Sequence, residues 1–155
     1  MKTLTLIKHS MLAGMALTLV ACTDENAPEI VPPTGPVAQA LTSGSTETWR
    51  YTRWTLLDLI PVPIPTCNQD DRFTFNADGT FAVNIANVTC SVIDLDGSGF
   101  WTVTGDTLVT LNYGTPGLVV LSANYRIFSA NADSVVFRET TNPLLDDFRL
   151  TIKPS

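Results

Sequence analysis

Two adjacent carboxylate pairs, Asp70-Asp71 and Asp146-Asp147, are the first residues of this chain that could do chemistry. Glycoside cleavage needs only two carboxyl groups, one giving a proton while the other attacks or activates water. Neighbours on a strand point to opposite faces, and both pairs have turn-like surroundings, so they are read as solvated loop charges. The segment Asp94-x-Asp96-Gly97-Ser98-Gly99 imitates the start of a calcium loop, with oxygen donors at alternate positions and a glycine for the bend. Its twelfth position is Gly105, where such a loop needs a bidentate glutamate, so it is read as a β-turn and no metal site is expected. Nucleophilic catalysis lacks a base. The single histidine is His9, and the only lysine beyond residue 8 is Lys153. No G-x-S-x-G elbow, phosphate-binding glycine loop or H-E-x-x-H is present. The expectation is a protein with no catalytic residues and no cofactor.

The cysteines carry more information. Lys2 and Lys8 make a basic start, and Met11 to Ala21 is an apolar run of signal-peptide length, too short to span a bilayer comfortably. It ends in Leu19-Val20-Ala21-Cys22, which looks like a bacterial lipobox, where small residues precede a cysteine that is lipidated and becomes the mature N-terminus. Residues 1–21 are therefore expected to be a lipoprotein signal peptide and Cys22 the lipidation site; the alternative is an ordinary cleaved signal with an incidental cysteine. Several acyl chains hold stably where one would not. Thr23, in place of an aspartate, points to the outer membrane. Asp24 and Glu25 resemble an export signal for surface-exposed lipoproteins, which leaves the periplasmic and cell-surface sides both open.

Cys67 and Cys90 remain, with 22 residues between them. In an oxidising compartment a disulfide is the default. A metal pair or a reactive thiol is the alternative, although a metal pair would want further ligands. The formal net charge is −6, and loss of Lys2 and Lys8 with the leader takes it to −8. An acidic balance argues against nucleic acid, which needs a basic face, and against electrostatic docking on anionic lipid. It is read as a solvated acidic surface.

The elements that would position these groups are strands. Residues 22–45 carry Pro28, Pro32, Pro33 and Pro36, with no aromatic residue and no periodic apolar pattern, and read as a lipidated, proline-rich tether. Residues 46–155 then form one domain. Trp49 to Leu59 reads as a first long strand. Arg72 to Asn76 and Thr80 to Ile85 form a hairpin about a turn ending in Gly79. Asp96 to Gly99 reads as a turn. Phe100 to Thr104 and Thr107 to Asn112 form a second hairpin about Gly105-Asp106. Leu118 to Leu121 reads as a short strand, Asn124 to Ser129 and Ser134 to Glu139 as a further hairpin, and Phe148 to Lys153 as a last strand. No window of ten or more residues after the leader has a helical period. Regular spacing with hairpin-length loops predicts an all-β, antiparallel, up-and-down barrel of about eight strands.

The order of landmarks resembles the small lipocalin-like domain of bacterial (Bacteroidetes-type) lipoproteins. The likeness is carried by Thr48-Trp49-Arg50-Tyr51, by Cys67-x-x-Asp70 leading into Phe73-Thr74-Phe75-Asn76-Ala77-Asp78-Gly79-Thr80-Phe81, by Cys90, and by Gly99-Phe100-Trp101-Thr102-Val103 with Gly105-Asp106-Thr107-Leu108 and Tyr125-Arg126-Ile127. It spans roughly residues 46–153. It implies a lipid-tethered up-and-down barrel, with no settled ligand or catalytic residues to carry over. The insert Pro61-Val62-Pro63-Ile64-Pro65 departs from the pattern and lengthens the first loop.

The inward stripe of such a barrel is either a filled core or a cavity lining, since eight strands enclose just enough room for either. The candidate cavity residues are Trp49, Phe73, Phe75, Phe81, Trp101, Tyr125, Ile127 and Phe137, and an apolar or amphiphilic small molecule is the expected guest. The functional expectation is a lipid-anchored envelope protein with a barrel that takes a small hydrophobic ligand. The alternative is a non-catalytic interaction module with a filled core, presenting loops near residues 61–65 and 140–147 to an envelope protein.

Overall fold

The computed structural model describes residues 28–85, 97–141 and 147–155. The leader, Cys22, Cys90, Asp94, Asp96 and Asp146 lie outside the described residues.

Nine strands follow one short helix: α1 (Pro36–Thr42), β1 (Thr46–Leu56), β2 (Ile60–Val62), β3 (Arg72–Asn76), β4 (Thr80–Asn84), β5 (Gly97–Thr104), β6 (Leu108–Thr115), β7 (Leu118–Asn131), β8 (Ser134–Glu139) and β9 (Phe148–Pro154). Every pairing is antiparallel, and β9 pairs back onto β1, so the sheet closes in a ring. β1 makes the closure possible because it is long. One of its edges takes β3 along Thr46–Trp49 and then β2 along Trp54–Leu56, while the other takes β9 along Trp49–Leu56. Eight strands thus form the ring and β2 folds back as a short extra one.

The pairings place the inward residues in three tiers, because directly opposed residues face the same side and alternate residues repeat it. The first tier holds Trp49, Phe75, Phe81, Trp101, Val109, Ile127, Val135 and Ile152, all buried. The second holds Tyr51, Phe73, Val83, Leu111, Tyr125, Phe137 and Leu150. A shift of register between Tyr51 and Arg53 inserts one residue, so that Tyr51 and Trp54 both point inward although three apart. Trp54 joins Tyr113, Glu139 and Phe148 in the third tier.

Four sequence expectations change. The stretch expected to be a free tether up to Ser45 contains α1, whose Val37, Ala38, Ala40, Leu41 and Thr42 are buried. Gly35, at φ 98, turns the chain into Pro36 at the first helical turn, and Ser43 in the left-handed region ends it. Seven residues are too few for a helical period to register, and the apolar ones cover the first-tier end of the ring, where Trp49 Nε1 donates to the Leu41 carbonyl at 2.8 Å. Gly97–Gly99, expected in a turn, begins β5. The segments 118–121 and 124–129, expected apart, are one strand of 14 residues. The first strand starts at Thr46 and ends at Leu56, where Leu57 and Asp58 turn with positive φ.

β5 starts with two inward glycines for a steric reason. A Cβ on Gly99 would collide with the Asn112 carbonyl oxygen and touch the Phe81 ring. Phe81 and Tyr113 pack edge-to-face at 5.0 Å next to this bare stretch of backbone.

Candidate functional site

All eight candidate residues face the interior, but they do not line one chamber. Phe73, Phe75, Tyr125, Ile127 and Phe137, with Leu41, Val109, Leu111, Val135 and Ile152, border a void of about 30 Å³. Trp49, Phe81 and Trp101 are packed solid in the first tier, with Trp101 edge-on to Phe75 at 5.3 Å. A void of this size holds about one water, whereas pockets for drug-sized ligands run to several hundred Å³. Among the described residues the interior is therefore a filled core, and α1 is the stopper at one end.

Polarity changes along the barrel axis. Among the described residues, the tier under α1 holds no titratable group facing the interior. At the other end, Tyr51, Tyr113, Tyr125 and Glu139 bring three phenols and a carboxyl group among aromatic faces. Tyr51 sits edge-on to Phe73 at 5.0 Å and to Trp54 at 5.7 Å, and Tyr125 edge-on to Phe137 at 5.3 Å. Tyr125 and Glu139 are direct cross-strand partners between β7 and β8. Burial raises the Glu139 carboxyl above its ordinary pKa. Burial also pushes Tyr113 up to about 12, with the Glu139 charge adding to it, and drives Tyr125 well up, assisted by Tyr51, Glu139 and Tyr113. All these shifts favour neutral, protonated groups, which donate hydrogen bonds.

Trp54 extends the collar. It is 9% exposed, and its Nε1 has no hydrogen-bond partner. A buried indole N–H usually finds one, so an acceptor is wanted at this end of the ring.

Asp71 is buried, contrary to the expectation of a solvated loop charge; it lies just before β3, two residues ahead of Phe73 and so in the same alternating phase. Its Oδ2 accepts from Asn68 Nδ2 at 2.9 Å. Asp147 is exposed at the start of β9. Cys67 lies in a single 3-10 turn, Thr66–Asn68, that leads into β3.

Tyr51, Trp54, Tyr113 and Glu139 were absent from the sequence candidates. Glu139 had a legible signal, since in Ser134–Glu139 it shares the alternating phase of Val135 and Phe137. Tyr113 lies one residue past the expected end of its strand. Tyr51 and Trp54 are out of phase with one another in the sequence, and only the inserted residue between them brings both inside.

A family model for a lipocalin-like domain matches residues 46–137. No curated protein matches the chain, and no solved structure does.

Proposed function

From the premise that the chain belongs to the lipocalin-like domain family, we propose that it is a non-catalytic, lipid-anchored envelope protein that takes a small amphiphile at the end of its barrel away from α1. The observation that carries this is the collar of Tyr51, Trp54, Tyr113, Tyr125 and Glu139, set opposite the α1 stopper. Its aromatic faces offer an apolar seat, and its phenol hydroxyls offer donors to a polar end. A head group without negative charge suits it best, because a second carboxylate beside Glu139 would pay the repulsion of two like charges in a poorly solvated place.

Anchoring is part of the same reading. Cys22 carries the lipid, residues 1–21 are the removed leader, and the outer membrane is the destination. Cys67 and Cys90 form the disulfide that ties the loop before β3 to the segment after β4. The support is the lipobox-like sequence and an oxidising compartment.

The test is a titration of the domain with a fluorescent fatty alcohol and with the matching fatty acid. Saturable binding that favours the alcohol several-fold, and is weakened several-fold by Tyr113→Phe with Glu139→Gln, is the expected result. Binding that is indifferent to the collar, or no saturable binding of either probe, overturns the ligand reading. The filled interior favours a second reading, a module that presents its loops to an envelope protein. That reading gains if the probes fail and a single envelope protein cross-links to residues 61–65.

A further inference from the structure

Large exposed apolar side chains are not scattered over this protein. Of the nine among the described residues, seven lie on two hairpins: Leu57, Leu59 and Ile60 on β1–β2, and Leu118, Val119, Val120 and Leu121 on β6–β7. The extremes are Leu59 at 81% and Val120 at 80% exposed. Both hairpins turn at the end away from α1. β1 starts beside α1 and runs away from it to its turn, and β6 runs away from the β5–β6 turn to Pro116-Gly117. Among the described residues the first part of β7 pairs with β6 alone, since its ladder with β8 begins only at Tyr125. The β6–β7 tip is therefore a two-stranded ribbon whose apolar side chains are exposed. On the other tip, Asp58 is neutralised by an ion pair with Arg149.

The chain's entry point supplies the occupant. Pro28 lies against the β6–β7 tip, its Cγ 3.3 Å from where a Cβ of Gly117 would stand. Five residues separate Pro28 from Cys22, a reach of about 20 Å at full extension. A lipid on Cys22 thus holds this tip, and the ring end beside it, close to the bilayer surface.

We propose that the β1–β2 and β6–β7 tips form a membrane-contact rim, dipping Leu59, Ile60, Leu118 and Val120 into the boundary between head groups and acyl chains. This rests on the lipid anchor proposed above. Contact is apolar, so it works on zwitterionic lipid and is insensitive to salt. It also turns the end of the barrel away from α1 toward the bilayer, the source of amphiphiles.

The experiment uses the lipidated full chain in phosphatidylcholine vesicles with brominated acyl chains, which quench a nearby tryptophan. Val120→Trp and Leu59→Trp each add an emitter on the rim, and Ala132→Trp adds one at the opposite end. Both rim positions are exposed, so the fold tolerates either change. The expected result is about a twofold loss of the added emission for both rim variants and none for Ala132→Trp, unchanged by salt. Protein that floats with the vesicles and carries lipid on Cys22, but shows no rim quenching, overturns the rim and leaves the anchor standing. Protein that does not float and has an unmodified Cys22 overturns the anchor, and the rim with it.

Discussion

Tyr125 and Glu139 face each other across the β7–β8 ladder on the inner side of the ring. Glu139 makes Tyr125 harder to ionise. Burial raises the Glu139 pKa, and the Glu139 charge adds to the burial that raises Tyr125. The pair lies where the apolar filling of the barrel gives way to hydroxyl and carboxyl groups.

The Glu139 shift fixes a pH dependence. Its folded pKa lies above its unfolded value, so the native state holds the proton to higher pH than the unfolded chain does. Below the unfolded value, about 4.3, both states are protonated and Glu139 costs nothing. As pH rises from there through the folded pKa, stability is lost, and the loss is complete above it. Glu139→Gln should therefore melt higher than the parent at pH 7 and equal to it near pH 3.5. A difference that persists unchanged at the acid end would refute this account.

Leu41 links the stopper to the barrel. It is 2% exposed, borders the interior void and lends its carbonyl to Trp49 Nε1. Leu41→Ala should lower unfolding stability by about 2–5 kcal/mol through lost burial and an enlarged cavity. Urea midpoints at constant slope measure it. If residues 22–45 were only a tether, the midpoint would not move.

Gly99→Ala should destabilise by about 1–3 kcal/mol, the range for overpacking. The added methyl meets a backbone carbonyl, which cannot swing aside as a side chain would. Gly44→Ala makes the contrast, since nothing stands within 4 Å of its Cβ position and its cost comes only from a φ of 83. A smaller loss at Gly99 than at Gly44 would show that β5 and β6 are not so closely apposed.

Reducing the proposed Cys67–Cys90 bond should cost roughly 3 kcal/mol, the loop-closure value for a ring of this size. Thermal melts with and without reductant, beside Cys67→Ser, test it. Intact mass after alkylation without reductant should show neither residue labelled.

The sequence alone determined the alternation and the turns. In β3 and β4, Phe73, Phe75, Phe81 and Val83 fall on one phase on either side of a turn with Gly79 at φ 87, and a period of two is a local property readable from one strand at a time. Sheet class followed from the same signal. What only the tertiary structure decided depends on residues far apart in the chain. α1 has too few residues to announce itself, and it is held because Leu41 is buried bordering the interior with Val109 and Ile127 and lends its carbonyl to Trp49 Nε1. Tyr51 and Trp54 come to share a face because β1, while pairing with β9 more than ninety residues away, absorbs one extra residue. The filled interior was open in the sequence, since the same stripe of aromatics lines a cavity or plugs it. The choice is set by ring diameter and side-chain volume together, and only the closed sheet fixes the first.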